Sequence, residues 1–143
     1  MTTVNEILRY KGGELVTIDP DATVYDALAL MSQRNIGALL VLEKGRLVGV
    51  LSERDYARNI ILQGRSSKST AVREIMSGHF IAVKPNTPVE ECMGIITEKR
   101  IRHLPVLDGD KLLGVVSIGD VVRAIIDDRE FTIQQLEHYI CCG

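Results

Sequence analysis

Gly49-Val50-Leu51-Ser52-Glu53-Arg54-Asp55 returns 65 positions later as Gly114-Val115-Val116-Ser117-Ile118-Gly119-Asp120. The same shift aligns residues 20–61 with 85–126 without a gap, and fourteen of those 42 pairs are identical. Pro20 meets Pro85, Val24 meets Val89, Ile36 meets Ile101, and both Ser and Asp of the opening heptads coincide. If three residues are allowed as an insertion, Val4-Asn5-Glu6-Ile7-Leu8 also mirrors Val72-Arg73-Glu74-Ile75-Met76. A repeat of this length means two copies of one supersecondary unit. The predicted division is a first repeat at 4–62, a linker at 63–71, a second repeat at 72–128 and a helical tail at 129–143. The linker, with Gln63-Gly64-Arg65-Ser66-Ser67-Lys68-Ser69-Thr70, reads as a polar surface loop.

Within each repeat the hydrophobic period changes in a fixed order. An extended segment, Leu15 to Ile18 or Phe80 to Val83, is ended by a proline. A helix follows, with Val24, Ala27, Leu28 and Met31 on one face, matched by Val89, Cys92, Met93 and Ile96. Capping boxes are expected at Thr23 with Asp26 and at Thr87 with Glu90, with Pro88 in the first helical position. Two apolar strands come next, Ala38–Leu42 and Leu47–Leu51, around a tight turn at Glu43-Lys44-Gly45-Arg46. The second repeat has Leu104–Leu107 and Leu112–Val116 around Asp108-Gly109-Asp110-Lys111. A second helix starts at Ser52 or Ser117. The expected fold is α/β (α+β): two pseudo-symmetric β-α-β-β-α repeats packed together into one compact module.

Composition narrows the function. With 45% hydrophobic residues, 25% charged and a net charge of −2, the chain has an ordinary globular make-up and no general attraction to nucleic acid or anionic membrane. Its longest apolar runs are of strand length, short of the ~20 residues that span a bilayer. The first eleven residues lack the regions of a signal peptide, so a cytoplasmic location is expected. Three cysteines fit that expectation. Cys92 falls on an apolar helix face, whereas the adjacent Cys141 and Cys142 are more prone to oxidation between chains than to a disulfide with each other. Together with His79, His103 and His138 they show no paired ligand spacing, and no metal is expected.

The order of elements, with Gly-apolar-apolar-Ser-x-x-Asp at the last strand-to-helix junction, resembles the CBS domain, and the doubled pattern resembles a Bateman module. Arg102-His103-Leu104-Pro105-Val106 is similar to the family's central-strand signature. The likeness runs from about Val4 to Asp127. The Arg54-Asp55-Tyr56-Ala57-Arg58 segment, the Gly64-Arg65-Ser66-Ser67 loop and the tail resemble small bacterial and organellar proteins made of little besides a CBS pair.

That resemblance implies a regulatory module that binds an adenosine ligand: AMP, ADP, ATP, NAD(H) or S-adenosylmethionine. It implies Asp55 and Asp120 on ribose, Ser52 and Ser117 near phosphate, and adenine between the strands. Thr17, Ile18 and Asp19, with Ala82, Val83 and Lys84, occupy the family's place for adenine contacts. Arg102 and His103, beside Pro105, stand where related modules hold phosphate, and Arg54 offers a guanidinium from the other repeat. The two arginines fit phosphates lying across a shared cleft, and they favour AMP or NAD(H) over S-adenosylmethionine. The repeats differ at these places: Arg102-His103 aligns with Gly37-Ala38, Arg54 with Gly119, and Asp19 with Lys84. The two pockets therefore need not bind alike.

The residues themselves admit a plainer reading. A helix start favours anions through its unpaired N–H groups, and a carboxylate can accept both hydroxyls of a ribose. Ser-x-x-Asp is equally a helix cap. Arg102 could be a solvated strand-edge residue and His103 a partly buried, hydrogen-bonded imidazole. No phosphate loop, dinucleotide fingerprint, nucleophile elbow or zinc-protease motif is present, and no enzyme is expected. A ligand-free structural adaptor is the alternative. Ile133, Leu136 and Ile140 make a stripe that could cover a second subunit or its own domain. A homodimer is expected, with an unidentified regulated protein as a possible partner. Arg65, Lys68, Arg73, Lys99, Arg100 and Arg102 could form a basic patch, but no aromatic ladder accompanies them.

Overall fold

Most helices and strands form where the two periodicities place them. The computed structural model describes residues 2–12 and 15–142, and of Cys141 and Cys142 only the backbone. The elements in chain order are α1 (Val4–Lys11), β1 (Thr17–Ile18), α2 (Val24–Arg34), β2 (Ala38–Glu43), β3 (Arg46–Ser52) and α3 (Glu53–Tyr56). After them come α4 (Val72–Ile75), α5 (Val89–Lys99), β4 (His103–Asp108), β5 (Lys111–Ser117) and α6 (Ile118–Cys142).

The chain divides into two compact units, but not at the boundary between the repeats. One unit holds residues 14–81 and 110–112; the other holds 1–13, 82–109 and 113–143. Each repeat has thus given its leading helix to the other: α1 belongs with the second repeat's strands and α4 with the first's. The joints match pair for pair. Val4 N–H donates to the Thr87 carbonyl at 2.9 Å and Asn5 N–H to that of Pro85 at 2.8 Å. Val72 N–H donates to the Ala22 carbonyl at 2.9 Å and Arg73 N–H to that of Pro20 at 2.8 Å.

In the 14–81 unit, β1 runs parallel to β2, with Thr17 opposite Leu40 and Ile18 opposite Val41. β2 is antiparallel to β3, with Ala38 opposite Ser52. The hairpin closes at Lys44 and Gly45, both at positive φ, as the tight two-residue turn requires. Val24, Ala27 and Met31 of α2, Leu39 and Val41 of β2, Leu51, Ile60, and Val72 and Ile75 of α4 form the core. In the other unit β4 and β5 are neighbours, Val83 is bridged in parallel to Val106, and the buried residues fall at corresponding positions. Val89, Cys92, Ile96, Leu104, Val106 and Val116 are buried there, with Val4 and Ile7 of α1. Burial pushes the Cys92 thiol up to about 11, with the Glu91 charge adding to the rise.

Four expectations need amendment. Phe80 to Val83 forms a single bridge at Val83 and no strand, because only that residue pairs. The box at Thr87 does not form: its hydroxyl accepts from Lys84 N–H at 3.0 Å, and Pro88, extended at ψ 147, is the cap residue. The linker is not wholly at the surface. Thr70 is buried, donating to the Ser66 carbonyl at 2.7 Å while its own carbonyl accepts from Val24 N–H at 2.8 Å. The tail is no separate element, since α6 continues unbroken through it.

Candidate functional site

Each unit ends its hairpin in a Ser-x-x-Asp helix start. In the first, the Ser52 hydroxyl accepts from Asp55 N–H at 3.2 Å, and Asp55 Oδ2 accepts from Ser52 N–H at 2.9 Å. The Ser52 hydroxyl also donates to Asp55 Oδ2, at 2.9 Å. In the second, Asp120 N–H donates to the Ser117 hydroxyl at 3.2 Å and Ser117 N–H to Asp120 Oδ2 at 2.9 Å. Both are reciprocal capping boxes, so the plainer reading of these residues is met in full. The capping contacts all fall on Oδ2 and leave Oδ1 outside the box.

The backbone brings the predicted strand residues to the same end. Glu53 N–H donates to the Gly37 carbonyl at 3.1 Å, and Ile118 N–H to the Arg102 carbonyl at 2.8 Å. Arg102 and His103 therefore stand beside Ser117 and Asp120, at the mouth of β4. Pro105 is buried, and its carbonyl accepts from Val83 N–H at 2.9 Å. Lys84 is exposed next to it. In the other unit Thr17 and Ile18 are half-buried on β1, while Asp19 is exposed and its Oδ1 accepts from Asp21 N–H at 2.8 Å. Arg54 is exposed on the first turn of α3. A groove of about 620 Å³, lined by Leu28, Met31, Ile36, Gly37, Glu53 and Tyr56, opens beside that turn.

Why glycine precedes each box is a matter of space. A Cβ on Gly49 would lie 2.7 Å from the Met76 sulfur and 2.9 Å from the Ser77 carbonyl; one on Gly114 would lie 3.0 Å from Leu8 Cδ2. Leu8 and Met76 are matched residues of the exchanged segments. The exchange thus accounts for the glycine of the motif in both repeats.

The model of the CBS domain family matches this chain twice, at residues 4–62 and 72–127. The chain belongs to the CBS-domain family. CBS domain-containing protein CBSX3, mitochondrial, of Arabidopsis thaliana is 45% identical over 99% of this chain and 73% of its own. A putative signal-transduction protein with CBS domains from Burkholderia ambifaria MC40-6 is 48% identical, with a TM-score of 0.84 over 89% of this chain and 96% of its own. The CBS domain pair of protein MJ0100, solved with 5′-methylthioadenosine and S-adenosyl-L-methionine, shares the fold at 23% identity. Its TM-score is 0.79 over 90% of this chain and 98% of its own.

One charged group at the second CBS site escaped the sequence reading. The Lys11 ammonium, at the end of α1, donates to Asp120 Oδ2 at 2.8 Å and to the Val115 carbonyl at 3.1 Å. Burial by itself would push the Asp120 carboxyl up. The Lys11 hydrogen bond and charge, with the Ser117 N–H, outweigh it and hold the carboxyl below its ordinary value. Only its place in the last turn of a helix, where a cation is favoured, marked Lys11 in advance. Among the described residues no helix is long and apolar enough to cross a membrane.

Proposed function

We propose that this CBS pair is a non-catalytic regulatory module that binds an adenosine ligand at its Ser-x-x-Asp helix starts, with AMP or NAD(H) as the ligand. The observation that carries this reading is the pair of carboxylates, Asp55 and Asp120, each fixed through Oδ2 at a helix start. A carboxylate held this way keeps lone pairs for the two hydroxyls of a ribose. Beside each stands an exposed arginine, Arg54 or Arg102, suited to phosphate. Ser52 and Ser117 serve the phosphate side. Thr17, Ile18, Asp19, Val83, Lys84, His103 and Pro105 line the adenine side and the mouth of the strands.

Signalling follows from linkage: a ligand that prefers one conformation shifts the population toward it, for a partner protein to read. A cytoplasmic homodimer is the working form in this reading. Thermal-shift titration with AMP, ADP, ATP, NAD, NADH and S-adenosylmethionine tests it. Saturation at ~100 times the dissociation constant stabilises by about 2.7 kcal/mol, a rise of several degrees. The rise should vanish in a D55A/D120A variant. No rise with any of them, from nucleotide-free protein, would favour the ligand-free adaptor. That second reading draws on the exposed Phe131, Ile133, Leu136, Tyr139 and Ile140 of α6.

A further inference from the structure

The two carboxylates are held differently. On Asp55, Oδ2 accepts the Ser52 N–H and the Ser52 hydroxyl. On Asp120, Oδ2 accepts the Ser117 N–H and, in addition, the Lys11 ammonium. The position matching Lys11 in the other exchanged segment is His79, so the repeats do not share this cation. We propose that Lys11 is a built-in competitor at the second CBS site: its ammonium neutralises the Asp120 carboxylate from Oδ2, beside the oxygen that a ligand's ribose would take, and ligand binding displaces it.

This rests on the adenosine-site reading and adds regulation to it. Three observations carry it. The pair is open to exchange, with Lys11 40% exposed and Asp120 20%, and it forms one wall of a groove with Ile7, Tyr10, Arg123 and Asp127. Ion pairs as exposed as this are weak, so a ligand making several contacts can displace one. The ammonium also has somewhere to go, because a cation at a helix C-terminus is favoured by the helix dipole and by water.

Lys11 is moreover the last residue of α1. Gly12 follows at φ 60, its N–H donating to the Leu8 carbonyl at 3.0 Å. Beyond it the chain leaves this unit for residues 14–81. Displacing Lys11 therefore loosens the end of α1 where the chain passes from one unit to the next. Site two reports its occupancy through α1.

Calorimetric titration of AMP and of NAD into D55A, which leaves the second site alone, and into D55A/K11M tests the competition. K11M should bind about threefold to fivefold tighter, equal to ~0.6–1 kcal/mol at 1.4 kcal/mol per tenfold. K11R should restore the weaker binding. Hydrogen exchange at the end of α1 should quicken on ligand addition to D55A and be fast without ligand in D55A/K11M. Weaker binding in K11M would make Lys11 a ligand contact and overturn the competitor, as would equal binding; in both cases the adenosine reading stands. If neither variant binds either nucleotide while the wild type does, the second site takes no such ligand and the competitor fails alone; if the wild type binds neither as well, the adenosine reading fails with it. Should D55A not fold, D55N retains an oxygen for the Ser52 N–H and replaces it throughout.

Discussion

Gly49 stands where a Cβ would come within 2.7 Å of the Met76 sulfur, so the tightest point of the Gly-x-x-Ser motif is set by the neighbouring exchanged segment. A methionine tip can move, but the Ser77 carbonyl at 2.9 Å is backbone and cannot yield as cheaply. At Gly114 the obstacle is a leucine methyl at 3.0 Å. Gly49→Ala should cost about 1–3 kcal/mol of stability by overpacking, and Gly114→Ala clearly less. Denaturant midpoints of the two variants read the difference, and an inverted order would refute this account of the motif.

Asp55 serves the helix and, in the proposed function, the ligand. Removing the side chain should cost about 1 kcal/mol of stability through the lost cap contacts. It should also weaken nucleotide binding about tenfold or more, from one or two charge-assisted hydrogen bonds of ~1.5–3 kcal/mol each. Asp55→Asn separates the two, keeping most of the cap and losing the charge. Unchanged affinity in a folded D55A or D55N protein would remove Asp55 from the site.

Burial pushes the Asp120 carboxyl up, but the Lys11 hydrogen bond and charge, with the Ser117 N–H, hold it below its ordinary value. A depressed carboxyl contributes stability that is present above the unfolded-state value and lost as pH falls through the folded one. Wild type should therefore exceed Lys11→Met in melting temperature above about pH 4, by the ~0–1 kcal/mol of an exposed pair. The gap should close below pH 4. A gap that widens on acidification would mean that Lys11 stabilises through some other group.

Cys92 is fully buried with its thiol pushed up to about 11. The thiolate is the reactive form, so iodoacetamide at pH 8 should modify Cys92 only as fast as the native state opens. Peptide mass spectrometry with and without denaturant measures this, and prompt native labelling would contradict the burial. The expectation for Cys141 and Cys142 concerns side chains outside the described residues.

Arg100 closes α5 at φ 54, the position held in the matching helix by Asn35, also at φ 54. Asparagine and glycine tolerate this left-handed conformation, which strains longer side chains. Arg100→Gly should stabilise by about 0.5–1 kcal/mol, read as a higher denaturant midpoint at unchanged slope. A lower midpoint would show that the arginine side chain does more for the fold than its backbone strain costs.

The repeat architecture was legible because periodicity is local: Val24-Ala27-Met31 and Val89-Cys92-Ile96 declare a helical face wherever they pack. Partner choice is not local. Val4 and Ile7 show an apolar face that suits either repeat, and nothing in their spacing says that it joins the second. Lys11 was missed for the same reason, since it lies 109 residues from Asp120 and carries no motif. Thr87 had the residues of a capping box, but Pro88 is itself the extended cap residue, and the hydroxyl turned back to Lys84. Nor did sequence separate the helices after Ser52 and Ser117. Ala57–Ile61 widens into a π turn, whereas the matched residues in α6 stay α-helical.

The exchanged helices also set an order of birth. α1 leaves the ribosome before the other elements described, yet the strands and helix that cover Val4 and Ile7 come from residues 82 onward and are made well after it. At about 5–20 residues per second, the nascent helix waits on the order of ten seconds with its apolar face uncovered. The 14–81 unit, whose segments emerge almost consecutively, has no such delay. A growing chain therefore completes its 14–81 unit before it can cover α1, and Val4–Lys11 is a stretch that a chaperone would find bare.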